Sequence, residues 1–521
     1  MHAEKAAALG NLLRRAAHNS PDQLALVKGP VALTFAELER RALGFARALA
    51  GLGVGMGDVV TAQLPHWWET QIVMFGTLLA GAAYNPVVPI YREHELEFIV
   101  AQARPRALVS PGVHRGHDHL ATAQAVAARQ FDPPVVVAVR VADADLPQGA
   151  DSFSGMTTSE AVPLPDPPDP NDVALLMYTS GSTADPKGAL HSHRTLLHEA
   201  RQVAQIARLG PADAVFMSSP LTHITGLLFA AVLPVDLAIP TVLQDRWDAP
   251  AAVDLIERHR CTFTVSATTF LLGLTKVYEQ RGPSSLRVFV CGGAEIGPAL
   301  VERARQAMGT RVVRTYGSTE FPTFSLGDPY GEPAAATRTD GHPVPLAQWR
   351  VDEGHGDELL VKGAELFLGY LDPALNAEAF TADGFFRTGD VVRFDVHGDC
   401  TIVGRIKDII IRGGENLSAI EIEDQLQQHP SIEDVAVVAM PDPVLGERAC
   451  AFIVPVAGTA PSLAELRAFL TLRGLAVQKS PERVELVERL PRTASGKVQK
   501  FRLRETIRRR LTDEEAAGPV R

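Results

Sequence analysis

Cysteine is scarce in this chain: four residues in 521, Cys261, Cys291, Cys400 and Cys450, with no CxxC pair and no Cys/His spacing suited to a metal ion. That excludes a disulfide scaffold and suits buried thiols in a reducing compartment. No apolar run reaches the ~18 residues of a membrane span, so no span is expected. Aromatic residues make up only 6%, so the core must be built mainly from Ala, Val, Leu and Ile. Basic charge is not in excess either. The net charge is −11, which argues against non-specific nucleic-acid binding. There is no GxSxG elbow and no GK[ST] phosphate loop, so a serine-hydrolase reading and a Walker A reading both lack support. Internal repeats and low-complexity tracts are absent, which excludes a solenoid.

What remains is an ordinary globular composition, 46% hydrophobic and 21% charged. The length implies roughly three units of ~150 residues. Charge is uneven along the chain. Residues 407–521 carry 17 Lys+Arg and 17 Asp+Glu, so the whole −11 lies in residues 1–406. Within the neutral part, residues 492–510 hold eight basic side chains and one acid, Glu505. Arg14 and Arg15 among alanines hint at a transit peptide, but Glu4 and Asp22 argue against one, and residues 11–17 read as an amphipathic helix. A cytoplasmic protein is expected.

Residues 36–52 carry helical periodicity and end in Gly51, Gly53, Gly55 and Gly57, which read as a turn before a buried strand at 58–64. Helices follow at 67–82 and 93–103, with a strand at 107–110. The alternation predicts a parallel sheet covered on both faces. A proline-rich stretch, 161–171, reads as a stiff connector between subdomains. Beyond it, βα alternation resumes with strands at 173–178, 214–218, 241–243, 262–266, 288–291 and 311–315. Residues 341–403 suggest a small β-rich unit. A last unit shows helices at 420–428 and 462–472 and strands at 435–439, 449–454 and 483–487. The expected fold class is α/β: a large N-terminal domain (1–404) of two βα layered subdomains plus the small β-rich unit, then a small mobile α+β C-terminal domain (405–521).

The segment richest in chemistry is Tyr178-Thr-Ser-Gly-Ser-Thr-Ala-Asp-Pro-Lys187-Gly188. It follows an apolar strand and precedes a helix expected near Arg194. Glycine and small hydroxyl residues let backbone N–H groups converge on phosphate, Thr179, Ser180, Ser182 and Thr183 add donors, and Lys187 adds positive charge. His191, His193 and His198 are tempting as a metal cluster, but only Glu199 is a nearby carboxylate and the pattern does not fit one.

This segment resembles the phosphate-binding loop of the AMP-forming adenylating enzymes: acyl- and aryl-CoA synthetases, adenylation domains of peptide synthetases, and luciferases. The resemblance extends through Tyr316-Gly-Ser-Thr-Glu320, Phe386-Arg-Thr-Gly-Asp390, Gly404-Arg-Ile-Lys-Asp408 with Arg412-Gly-Gly-Glu-Asn416, and Pro491-Arg-Thr-Ala-Ser-Gly-Lys497. All five motifs occur in the family's order over residues 12–510.

The resemblance implies ATP, Mg²⁺ and coenzyme A as cofactors. It implies two steps: carboxylate attack on the α-phosphate, then thiolysis of the acyl-adenylate. Lys497 is the expected catalytic lysine that bridges acyl carboxylate and phosphate, supported by Glu320, Thr179 and Lys187. Nucleotide contacts are expected from Thr179, Ser180, Gly181, Ser182, Thr183, Lys187, Gly292, Gly293, Ala294, Tyr316, Gly317, Ser318, Thr319, Glu320, Asp390, Arg405 and Lys497. Glu320 is the metal ligand, Tyr316 faces adenine, and Asp390 accepts from the ribose hydroxyls. His223, Gly226, Gly292 and Gly317 are expected around the acyl group. Lys407 is the hinge, and Arg412, Gly413, Gly414 and Glu415 form the loop that approaches coenzyme A.

Three positions depart from the family pattern: Ala184 for glycine, Ser318 for methionine and Ala419 for proline. The segments at 63–68, 91–96 and 446–450 are more similar to cyclohexanecarboxylate-type and short- or medium-chain acyl-CoA ligases and to dihydroxybenzoate-adenylating enzymes. The expected activity is an acid–CoA ligase for a short- or medium-chain, branched or alicyclic acid. A ligase that loads a separate carrier protein is the alternative. A non-catalytic binding protein is disfavoured by Lys497, Glu320 and Asp390. The sequence leaves the oligomeric state open, with a homodimer compatible.

Overall fold

The computed structural model describes residues 8–517, apart from 161, 180–185, 294–295, 333–336, 413–414, 474, 476 and 493–497, and apart from the side chains of 407, 415–416 and 515–517. The chain divides into two compact units. One comprises residues 1–348 and 361–386, the other 349–360 and 387–521.

The first unit holds two large sheets. The nine-stranded sheet runs His342–Pro343, Ser325–Leu326, Arg311–Tyr316, Val288–Cys291, Phe263–Ser266, Val215–Met217, Thr241–Leu243, Leu24–Lys28, Val31–Thr34. Its central strands are parallel. The eight-stranded sheet runs Gly369–Tyr370, Lys187–Ser192, Val173–Thr179, Ala83–Pro86, Val59–Ala62, Ala107–Pro111, Val135–Val139, Ala150–Ser152. It is parallel from Val173–Thr179 onward and antiparallel where Lys187–Ser192 and Gly369–Tyr370 join it.

Strand alternation assigns each side chain to a layer. In Val288–Cys291, Val288 and Val290 enter a core shared by both sheets, while Phe289 and Cys291 face helices Ala249–Arg258, Thr268–Arg281 and Pro298–Met308. Helices Leu9–Asn19, Phe35–Gly51, Trp68–Leu79 and His193–Ile206 fill the shared core. Helices Glu93–Ala103 and His119–Ala128 cover the far face of the eight-stranded sheet. The layers are therefore helix, sheet, helix, sheet, helix. The proline-rich connector stays within one sheet: it runs from edge strand Ala150–Ser152 back to Val173–Thr179, not between subdomains as its composition suggested.

The run from Ile224 to Leu237 is one continuous helical stretch with a π turn at Leu228–Val232. Pro234 has no N–H, so it cannot serve the carbonyl of Ala230 as an i+4 donor. The buried Gln71 side chain supplies a donor, Nε2 to the Ala230 oxygen at 2.8 Å.

In the second unit, a four-stranded sheet (Gln348–Asp352, Glu358–Lys362, Phe386–Phe394, Cys400–Arg405) precedes the C-terminal sheet. The latter contains Ile409–Arg412, Glu415–Ser418, Ile432–Asp442, Gly446–Pro455 and Arg483–Leu486. Helices Ala419–Leu426 and Leu463–Leu472 cover one face, and Lys500–Ala517 the other. The basic stretch is matched internally: Lys500 pairs with Glu423, Arg504 with Asp408, and Arg510 with Glu485. All four cysteines are buried free thiols, and among the described residues no helix is long and apolar enough to cross a membrane.

Candidate active site

The carboxyl ends of adjacent parallel strands Phe263–Ser266, Val288–Cys291 and Arg311–Tyr316 lie side by side, with Ser266 opposite Cys291 and Cys291 opposite Arg314. Ligands of open α/β sheets bind at such ends. Gly292, Gly293, Tyr316 and the 317–320 turn leave the sheet here. Tyr316 packs edge-on to Phe324 at 6.2 Å.

The 318–320 turn is held from within and from behind. The Ser318 hydroxyl accepts from the Glu320 and Phe321 N–H groups at 3.2 and 3.3 Å, and Ser318 N–H donates to the Phe321 carbonyl at 2.9 Å. Serine at this departure from the family pattern therefore braces the turn. His191 Nε2 lies 2.7 Å from the Thr319 carbonyl, which can only accept. Nε2 therefore carries the proton, and Nδ1 accepts from Thr195 Oγ1 at 3.1 Å. Burial pushes the His191 pKa down to about 4, so the ring is neutral.

The glycines expected at the acyl pocket are needed for close packing. A Cβ on Gly317 would stand 1.9 Å from the Pro322 oxygen, one on Gly226 would stand 2.0 Å from the Pro220 oxygen, and one on Gly292 would stand 2.5 Å from Thr315 Cγ2. His223 precedes the Ile224–Leu227 turn as its N-cap residue.

Thr179 and Lys187 are register partners on antiparallel strands, with Thr179 Oγ1 3.4 Å from the Lys187 carbonyl. The segment between them thus joins two strands. The helix expected near Arg194 begins at His193, capped by Ser192 and Thr195, and an unforeseen strand, Lys187–Ser192, lies before it. Ser180, Gly181, Ser182, Thr183, Ala294, Gly413, Gly414 and Lys497 lie outside the described residues, as do the side chains of Lys407 and Glu415.

Sequence reasoning missed Tyr370. Its hydroxyl donates to Glu320 Oε1 at 2.7 Å, and its ring lies 5.3 Å from Lys187 Nζ. It reaches them because Gly369–Tyr370 pairs with Lys187–Ser192, a contact across more than 180 residues with no local signature. A buried carboxylate cluster behind the turn was missed as well. Thr323 Oγ1 donates to Glu199 Oε1 at 2.5 Å. Burial, with Glu365 adding to it, pushes Glu199 up to about 8, while burial pushes Glu365 up to about 7. His198 stands 3.6 Å from Glu365, too far for a hydrogen bond, and burial lowers its pKa. His193 serves elsewhere: Nδ1 accepts from Leu9 N–H at 3.2 Å. The three histidines are thus dispersed, and among the described residues no His/Cys/Asp/Glu group could hold a metal ion by itself.

In the second unit, Asp390 and Arg405 are register partners joined at 2.9 Å. Thr388 Oγ1 accepts from Asp390 N–H and donates to the Leu359 carbonyl. Glu358 accepts from Gly389 N–H and Arg387. Arg412 pairs with Glu482 at 2.9 Å and stands in register with Glu415.

A strand-end carboxylate, a lysine and small-residue turns are the furniture of nucleotide chemistry, and comparison with known proteins agrees. Residues 13–371 match the AMP-binding enzyme family, and residues 421–497 match the AMP-binding enzyme C-terminal domain. The chain is 34% identical over 525 residues to the medium-chain fatty-acid–CoA ligase of Escherichia coli (strain K12), covering 98% of this chain and 92% of that protein. It is 33% identical over 518 residues to the 2,3-dihydroxybenzoate-AMP ligase of Bacillus subtilis (strain 168), covering 96% and 94%. The ATP-bound structure of MatB from Rhodopseudomonas palustris superposes with a TM-score of 0.84 at 29% identity, covering 95% of this chain and 98% of that one. The chain belongs to the AMP-binding enzyme family. It is an AMP-forming acid–thiol ligase, with ATP as its nucleotide.

Proposed function

We propose that the chain is a cytoplasmic acid–CoA ligase acting on a short- or medium-chain, branched or alicyclic carboxylic acid. The observation that carries this reading is the end-to-end similarity to a medium-chain fatty-acid–CoA ligase. The comparable similarity to a 2,3-dihydroxybenzoate-AMP ligase supports the alternative, in which a carrier-protein thiol takes the acyl group.

In the first step a carboxylate oxygen attacks the α-phosphorus and pyrophosphate leaves. The mutual repulsion of substrate carboxylate and triphosphate must be offset by cations. Lys187 and Lys497 supply two positive charges, Thr179 to Thr183 and Thr319 supply donors, and Tyr316 packs on adenine. Asp390 takes the ribose hydroxyls, exchanging part of its pairing with Arg405. Glu320 fits a magnesium ion: a carboxylate retains acceptor sites beyond the one Tyr370 uses, and magnesium commonly binds one or two protein carboxylates with phosphates and water completing its shell. Bound there, Mg²⁺ would neutralise developing phosphate charge.

In the second step a thiolate attacks the acyl carbon and AMP leaves, so no protein nucleophile is needed. We assign the 412–415 loop to the approach of the thiol arm. We place the functional boundary at 404/405 with Lys407 as hinge, so that the C-terminal domain presents Lys497 in one step and that loop in the other.

The test is acid-dependent AMP and pyrophosphate release over acetate, medium-chain, branched, cyclohexane and aromatic acids, with and without CoA. Thioester formation with a medium-chain, branched or alicyclic acid is expected. Adenylate without thioester would refute the CoA assignment and favour a carrier protein. Turnover of aromatic acids alone would refute the assigned substrate class.

A further inference from the structure

Tyr370 contacts both charged groups that the proposed chemistry requires, its hydroxyl on Glu320 and its ring against Lys187. Asn376 clamps its backbone, accepting from Tyr370 N–H at 2.8 Å and donating to the Tyr370 carbonyl at 3.1 Å. Phe367 packs edge-on against its ring at 4.9 Å. Phe367 N–H also donates to the Glu320 carbonyl at 2.9 Å. The 367–370 segment therefore grips Glu320 at both main chain and side chain. The tyrosine is buried, so its hydroxyl has little solvent competition.

We infer that Tyr370 is a positioning residue that aims the Glu320 carboxylate at a phosphate-bound divalent cation while its ring keeps Lys187 from collapsing onto that carboxylate. A neutral donor on Oε1 fixes the carboxylate rotamer and leaves its negative charge intact. Lys187 Nζ sits within cation–π range of the ring, where its charge is kept available for phosphate. The same tyrosine meets both groups, its hydroxyl on the Glu320 carboxylate and its ring 5.3 Å from Lys187 Nζ. A direct pair would use up the cation meant for phosphate and the anion meant for the metal. This inference rests on the reading of Glu320 as metal ligand, so the test carries a separate control for that reading.

The full chain is compared with Tyr370→Phe, Tyr370→Leu and Glu320→Gln. The first readout is binding of Mn²⁺ to the complex with α,β-methylene-ATP, followed by electron paramagnetic resonance. The second is the Mg²⁺ dependence of acid-dependent pyrophosphate release. Tyr370→Phe is expected to weaken Mn²⁺ binding by about 10-fold or more, the lower end of the weight of one hydrogen bond to a charged group. Its pyrophosphate release should need about 10-fold more Mg²⁺ for half-maximal rate than the parent's, because the carboxylate is misaimed and not lost. Tyr370→Leu, which also removes the ring, should add a rise of about fivefold in the KM for ATP. Glu320→Gln should weaken Mn²⁺ binding by about 100-fold or more. Weakened binding in Glu320→Gln with parental binding in Tyr370→Phe would overturn the inference and leave the Glu320 reading standing. Parental binding in Glu320→Gln would overturn both. Equal KM values for ATP in the Phe and Leu variants would overturn the role given to the ring.

Discussion

Replacing Glu199 by Gln should leave the protein about as stable as its parent near pH 5 and make it more stable near pH 8. Glu199 is fully buried, and it is faced by Thr323, which donates to one carboxyl oxygen, and by Glu365. Burial lifts its pKa from an ordinary 4.5 to about 8. Between those values the unfolded chain has released its proton while the folded chain still holds it. The folded state then binds more protons, so stability falls as pH rises through this window, by about 1.4 kcal/mol per pH unit for one group. The full window would amount to about 4–5 kcal/mol. Glu365 titrates in the same cluster, and coupling reduces what one substitution recovers to about 2–3 kcal/mol. Gln reproduces the protonated acid, with an oxygen to accept from Thr323 and an N–H donor in place of the O–H.

The parent's own pH curve would not isolate this effect. Burial pushes His66, His119, His191 and His193 down to about 4, so their contribution runs the other way. It is lost as pH falls from 6.5 towards those values. The parent-minus-variant difference removes that background. Thermal midpoints at about pH 5, 6.5 and 8, at constant ionic strength, would measure it. A difference that stays flat across pH, or a Gln variant that is the less stable protein near pH 8, would refute the argument.

Three further outcomes are expected. Gln71→Leu should cost about 1–3 kcal/mol, read as a lowered denaturation midpoint, because the buried Ala230 carbonyl, which Pro234 cannot serve, would lose the Gln71 donor. Gly317→Ala should cut adenylate formation by about 100-fold or more, because the Pro322 carbonyl 1.9 Å from the new Cβ is backbone and can yield only by moving the turn that carries Thr319 and Glu320; pyrophosphate exchange would check it. Lys497→Ala should reduce adenylate formation by roughly 1000-fold yet spare thioester formation from supplied acyl-adenylate, whereas substitutions at Arg412 should do the reverse, both read from the separated half-reactions.

Which parts of this molecule were legible in the sequence follows from the range of the forces that make them. Strand Val288–Cys291 and helix Glu93–Ala103 were placed to the residue, because apolar periodicity is a local record of which face is buried. The α/β class followed from the alternation of such segments. The hairpin at Lys187–Ser192 was missed because KGALHS lacks a clean period, being half-covered by Gly369–Tyr370 and the preceding strand. The helix over Ile224–Leu237 was hidden by Gly226 and Pro234, which usually break helices; tertiary partners compensate, Gln71 for the proline and a tight Pro220 turn for the glycine.

The same distinction runs through the site. The residues expected at the nucleotide belong to contiguous motifs, because a phosphate is cradled by consecutive backbone groups, and such motifs can be read along the chain. Residues that aim those groups come from wherever the fold brings a donor near. His191 meets Thr319 across 128 positions, Tyr370 meets Glu320 across 50, and Glu199 meets Thr323 across 124. Each was an unremarkable letter in the sequence, or, for His191, a false lead toward a metal. Their partners were legible only as residues that would need holding. Glu320 alone could be read as a ligand for magnesium, but a carboxylate on a half-buried turn has several rotamers. What holds its Oε1 is the hydroxyl of a tyrosine on the edge of another sheet, at 2.7 Å.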